Sequence, residues 1–168
     1  TALQLVIPVV RRDLWPERVE SNIEFIKKGF NKNNIVDSKT QERALSYYQK
    51  IIPKLYRGGN QIQGFLNKLG TALLRNNKTS YREVSASDLR VVGHKSVALA
   101  SQNFMMSMAA QGYDTCPMEG FDSKQLKSIL NIPKAAEISM VIGCGIRKPE
   151  GVYGDRFRIP FDEVYFEQ

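Results

Sequence analysis

Val97-Ala98-Leu99-Ala100-Ser101-Gln102-Asn103-Phe104-Met105-Met106-Ser107-Met108-Ala109-Ala110, then Gln111-Gly112, then Tyr113-Asp114-Thr115-Cys116-Pro117-Met118-Glu119-Gly120-Phe121-Asp122 is the run that decides how this chain reads. Its first part closes a helical pattern that starts near Ser85 and stops at Gly112. It is apolar or small on nearly every face, which predicts a long helix buried all round. Small residues let neighbouring backbones approach, and Met105, Met106 and Met108 fill uneven gaps. A helix of that kind in a chain of 168 residues favours a dimer. In the second part Pro117 fixes its own φ and Gly120 permits a close approach. Residues 116–122 read either as backbone presenting N–H donors to a flat heteroaromatic ligand or as a tight connection between two helices.

Downstream, Asp122 with Gln125 caps a short helix carrying Leu126, Ile129 and Leu130, closed by Asn131 and Pro133. Glu137–Gly145 contains Met140-Val141-Ile142 and suits an interior strand. The tail, Gly151–Gln168, sets Arg156 and Arg158 among Phe157, Ile159, Phe161, Val164, Tyr165 and Phe166. So aromatic a terminus must lie on its own domain or on a neighbour.

Upstream, the β-branched stretch Leu3–Val10 predicts a strand, with Pro8 at an edge, bulge or end. Such a start, directly after Thr1, reads as a chain lacking a front piece. Pro16 suits a first helical position, and Val19, Ile23, Ile26 and Phe30 form one apolar stripe. Residues 31–34 should break that helix. Ser38 and Gln41 form a capping-box signature for a second helix bearing Ala44, Tyr48, Ile51 and Leu55, which Pro53 should kink and Gly58-Gly59 end. A further helix carries Ile62, Phe65, Leu66, Leu69 and Leu73 and closes at Asn76-Asn77. Tyr47, Tyr48 and Tyr56 read as core or partner packing, with a pocket wall as the alternative. Strands separated by several helices, with few βαβ units, give an α+β fold.

Composition removes several functions. Lys+Arg number 24 against 17 Asp+Glu, a formal charge of +7. The basic residues are spread along the chain and their longest runs are pairs, which fits a solvated surface or a phosphate ligand better than a nucleic-acid footprint. No apolar run is long enough to cross a bilayer. Two cysteines and one histidine supply neither a disulfide scaffold nor a multi-histidine metal site, so no metal is expected. Cys116 and Cys144 read as buried small hydrophobes. His94 reads as a capped or surface histidine, since no nucleophile signature accompanies it. Gly143-Cys144-Gly145 begins like a dinucleotide fingerprint, but Lys148 stands at the third glycine's place.

Lys95 to Met105, followed by Ala109 to Asp122 with its Pro117-Met118-Glu119-Gly120-Phe121-Asp122 run, resembles the FMN-dependent nitroreductase family. Leu126 to Pro133, the strand to Gly145 and the basic tail continue the resemblance, which covers roughly residues 85–158 and extends to Leu3–Val10, the helices between being variable in the family. The family's leading Arg-x-Ser helix and its later Ser-x-x-Asn-x-Gln-Pro-type segment have no counterpart here. The resemblance implies a nitroreductase-like α+β fold: an antiparallel or mixed sheet flanked by helices, with a long buried central helix, N-terminally incomplete. It implies a partial single domain over 1–168, with 151–168 a C-terminal extension packing on the partner subunit.

The same resemblance implies an FMN enzyme that uses NADH or NADPH to reduce nitroaromatic, quinone or similar acceptors by alternating hydride transfer through flavin N5. Backbone N–H groups of Glu119 and Gly120 would address flavin N5 and O4, and Pro117 and Met118 would cover one face of the ring. Arg156 and Arg158 would hold the FMN phosphate; by the residues alone they read rather as two surface arginines on a strand-like tail, and Arg147 and Lys148 could compete for the role. A cytoplasmic homodimer acting on a small-molecule acceptor follows from the same source, with no membrane, nucleic-acid or metal partner. The alternatives are a flavin-free remnant or interaction module of this fold, or a related flavin reaction such as reductive dehalogenation or flavin fragmentation.

Overall fold

The computed structural model describes residues 2, 4–33, 37–57, 83–152 and 154–167. The expected helix of Ile62 to Leu73 and the stop at Gly58-Gly59 lie outside the described residues.

The sheet is small and antiparallel. Strands β1 (Gln4–Val6) and β3 (Asp114–Met118) flank β5 (Val141–Gly145) in the order β1-β5-β3, while β2 (Val9–Val10) pairs with β4 (Glu137–Ile138). Gln4 faces Cys144, Thr115 also faces Cys144, and Val9 faces Ile138. The central strand β5 is buried at four of its five positions, and Ile142 is fully buried. Burying that one side chain stabilises the fold by about 2–3 kcal/mol. The interior strand expected over Glu137–Gly145 is thus two strands, because Ser139 and Met140 step the chain from one sheet to the other. Ser139 N–H donates to Pro8 O at 3.0 Å across the same step.

Two corrections concern the segment before α5 (Ser123–Ile129). Residues 114–118 are a strand, not part of a tight helix-to-helix connection. Pro117 is tolerated there because β3 lies at the sheet's edge among the described strands, where a missing N–H breaks no ladder. Cys116 is exposed, whereas Cys144 is buried as expected.

Helix α4 (Ala86–Ala110) opens with a reciprocal capping box. Ser85 Oγ accepts from Asp88 N at 3.2 Å and Asp88 Oδ2 accepts from Ser85 N at 3.0 Å. Gly112, at φ +82°, ends it in the left-handed region that favours glycine. Midway, Gly93 lets the helix close on β2, since a Cβ there would stand 2.9 Å from Val10 Cγ1. The helix packs on β2 and β3. All-round burial is not found: Leu89 and Ser101 are its buried residues, while Leu99 and Met106 are 71% and 63% exposed. One chain covers one face, and no described element covers the rest.

Helix α1 (Trp15–Asn33) has Pro16 in its first turn and runs to Asn33, into the stretch 31–34 where the break was expected. Ile26 of its apolar stripe is buried, and Val19 and Ile23 are half-buried. Helix α2 (Ser38–Ser46) is capped by Asp37, whose Oδ1 accepts from Thr40 N at 2.6 Å, one residue ahead of the expected Ser38. The kink expected from Pro53 takes the form of a π-helical turn, Tyr47–Ile51, leading into α3 (Ile52–Arg57), with Ile52 N–H donating to Tyr47 O. Proline's absent N–H and its clash with the carbonyl four residues back favour one extra residue in that turn.

The tail follows the 3-10 turn Pro149–Gly151 and contains one short helix, α6 (Phe161–Val164). Every described tail residue is exposed, Phe157 by 79% and Phe166 by 76%. Phe161 stacks on Tyr165 at 4.8 Å between ring centroids.

Candidate functional site

Strand β3 delivers Glu119 and Gly120 to a fixed place at the sheet edge. Its last pair, Met118 opposite Val141, anchors the segment, and the Asp122 cap of α5 anchors the far side. Asp122 Oδ1 accepts from Lys124 N at 2.9 Å and from Gln125 N at 3.0 Å. Between the two anchors, Phe121 N–H donates to Glu119 O at 3.1 Å. Among the described residues, the N–H groups of Glu119 and Gly120 donate to no protein acceptor. A Cβ on Gly120 would meet nothing within 4 Å, so this backbone is open to a ligand.

Glu119 and Phe121 border an open cavity of about 550 Å³ together with Arg90, His94 and Lys95 of α4 and Ser139 of the β4–β5 step. That volume is in the range of small-molecule sites. Lys95 has no ion-pair partner among the described residues and leaves a free cation at the rim.

Beside the cavity, Glu137 gathers three donors. Arg12 reaches Oε1 from Nη2 at 2.8 Å and from Nε at 3.2 Å. Oε2 meets the Arg90 guanidinium and lies 3.3 Å from His94 Nε2. The other ring nitrogen, His94 Nδ1, lies 3.2 Å from Ser139 Oγ. Burial pushes the Glu137 carboxyl up, but the bonds from Arg12, Arg90 and His94 together outweigh it and hold the pKa at about 2. This cluster fixes His94 and Ser139 in the cavity lining. Sequence reasoning placed His94 at a cap or surface and did not single out Glu137. The three partners are 43, 47 and 125 residues distant in the chain, and no local spacing announces them.

Of the other expected site residues, Pro117 and Met118 form the end of β3, with Met118 40% exposed. Arg156 and Arg158 lie on the exposed tail and do not line this cavity. Arg158 Nη1 donates to Phe157 O at 2.8 Å. Arg147, the competing cation, is engaged by Asp114: its N–H donates to Oδ2 at 3.0 Å and its Nε lies 3.8 Å from Oδ1. Among the described residues no cluster of His, Cys, Asp and Glu could hold a metal ion, and no helix is long and apolar enough to cross a membrane.

A second cavity, about 330 Å³, lies among α1, the π turn, α3 and α4. Tyr48 and Tyr56 line it, so the tyrosines read as core or partner packing are in part a pocket wall.

The Nitroreductase family model matches residues 16–146. MhqN of Bacillus subtilis (strain 168), assigned by name to the NAD(P)H nitroreductases, is 33% identical over 106 residues, 62% of this chain and 52% of MhqN. The chain thus spans about half the length of that relative. Among solved structures, ydfN of Bacillus subtilis superposes with a TM-score of 0.64 at 21% identity, covering 99% of this chain and 64% of that one. A protein of Exiguobacterium sibiricum 255-15 solved in complex with FMN gives 0.60 at 17% identity, covering 100% and 63%. These likenesses bear on the fold, and the α+β arrangement around β5 agrees with them. With the family model over more than half its residues, this chain belongs to the Nitroreductase family.

Proposed function

We propose that the protein containing this chain is an FMN-dependent oxidoreductase that draws electrons from NADH or NADPH and passes them to nitroaromatic, quinone or similar acceptors. The observation that carries the proposal is the pair of free N–H groups at Glu119 and Gly120, set by a strand end and a helix cap beside a cavity of about 550 Å³. The residues fit such a ligand: open backbone donors suit the heteroatom edge of a flavin ring, and a free Lys95 suits an anionic group. When bound, the flavin supplies two-electron hydride chemistry at its N5 atom.

The chain's own contribution is positional. The Glu119 and Gly120 amides would orient the N5 and O4 edge, Pro117 and Met118 would support one ring face, and Arg156 and Arg158, which lie on the exposed tail and outside the cavity lining of this chain, would bind the phosphate. Forked guanidinium donors suit a phosphate dianion, each charge-assisted bond contributing about 1.5–3 kcal/mol. No side-chain acid or base is required to hold two reactants in turn against one ring face. The exposed tail and the exposed face of α4 are consistent with a homodimer in which residues 151–168 lie on the partner, and a cytoplasmic location is part of the same proposal. A reductive dehalogenation or flavin fragmentation on the same scaffold would use the same donors.

The test is a visible spectrum of the purified full-length protein. Oxidised flavin bands that bleach with NADH or NADPH and return in air support the proposal. A colourless protein that takes up no added FMN contradicts it and favours a flavin-free interaction module.

A further inference from the structure

The second cavity shares no lining residue with the one beside Glu119; Gly93 and Val97 of α4 line it, while Arg90, His94 and Lys95 line the other. Its lining is largely apolar and aromatic, including Trp15, Val19, Tyr48, Ile52 and Tyr56. The Trp15 and Tyr56 rings lie 5.8 Å apart, tilted 31° to one another. Arg11, Arg12 and Arg18 are among its lining residues, and their guanidinium groups differ in what they hold. Arg11 is occupied by Asp13, with Nη2 at 2.8 Å from Oδ2. Arg12 is occupied by Glu137. Arg18, exposed on α1, has no ion-pair partner among the described residues.

An aromatic-walled space with one unpaired guanidinium suits a ligand with a flat apolar body and a single negative charge. The apolar body gains from burial and from ring-to-ring contact, and the charge meets a forked donor. A volume of about 330 Å³ admits one small ring system and excludes a dinucleotide. We propose that this cavity is a binding site for a small planar aromatic carboxylate, packed against the wall that Trp15, Tyr48 and Tyr56 form with its carboxylate on Arg18, and separate from the site at Glu119.

Trp15 is the one tryptophan of these 168 residues, so a fluorescence change that Trp15→Phe abolishes reports on this cavity. The experiment titrates the full-length protein with benzoate and with benzyl alcohol, exciting at the red edge of tryptophan absorption where neither probe absorbs. Saturable quenching by benzoate is expected, with benzyl alcohol about tenfold weaker. Arg18→Gln should weaken benzoate about tenfold and leave benzyl alcohol unchanged, while Arg18→Lys should recover part of the loss. Arg18 is exposed, and an unaltered circular dichroism spectrum is expected for both variants. Equal binding of the two probes, or equal benzoate affinity in wild type and Arg18→Gln, would overturn the proposal. The titration needs no flavin, so a colourless protein would defeat the reading of the Glu119 site and leave this one standing.

Discussion

Arg12 donates twice to a single oxygen of Glu137, from Nη2 at 2.8 Å and from Nε at 3.2 Å, joining the turn that follows β2 to β4 across 125 residues of chain. The carboxylate's other oxygen is left for Arg90 and His94 of α4. One half-buried glutamate therefore ties the two-stranded sheet to the long helix, and it does so beside the cavity that Glu119 borders.

Glu137→Gln should destabilise the fold by about 2–3 kcal/mol, because it leaves two guanidinium groups facing a neutral amide. The expected signature is a lower urea midpoint at neutral pH with an unchanged slope.

Acid should reproduce that loss in the wild-type protein. The folded-state pKa of Glu137, about 2, is below its ordinary value near 4.5, so the folded form resists protonation. Its contribution, on the order of 3 kcal/mol, is fully present above about pH 4.5 and is lost as the pH falls through about 2. Urea midpoints measured from neutral pH downward should decline for wild type in that window and decline less for Glu137→Gln. Parallel declines would assign the acid sensitivity elsewhere.

Ser85→Ala removes half of the α4 capping box and should cost about 1 kcal/mol. Thermal unfolding should show a modest drop in midpoint with no change in flavin content, since the cap is remote from Gly120 in the chain. A cost near zero would mean that Asp88 alone closes the helix start.

The helices with local signals were legible in the sequence. Ser85, Gly112, Asp122 and Pro16 each mark an end through chemistry contained within a few residues, and the structure places all four at helix ends. Strand β3 was not legible, because Pro117 and Gly120 carry turn signals while pairing with β5 depends on residues some 25 positions away. Burial of α4 was legible only in part for a related reason: an apolar surface shows that a face can be covered, and the covering element, in this chain or in a partner, is not encoded in the helix. At the candidate site, Glu119 and Gly120 stood out through the run that contains them. The Glu137 cluster did not, since Arg12, Arg90 and His94 converge only once β2, β4 and α4 are packed.

Arg158→Ala should weaken FMN retention about tenfold without shifting the unfolding midpoint, by removing one charge-assisted phosphate donor from an exposed tail. Flavin release during dialysis measures it. Unchanged retention would return Arg158 to an ordinary surface role.

Gly120→Val should cost more in flavin binding than Arg158→Ala. A Cβ there meets nothing within 4 Å, so the fold should stand, and the side chain would fill the space a ring edge needs. A variant that holds FMN and reduces acceptors at the wild-type rate would place the ring elsewhere.

The most direct measurement is the amide spectrum of ¹⁵N-labelled full-length protein as FMN is added. The resonances of Glu119 and Gly120 should shift together and saturate with the flavin absorbance. A protein that turns yellow while those two amides stay in place would contradict the assignment of this strand end as the flavin's hydrogen-bond donor.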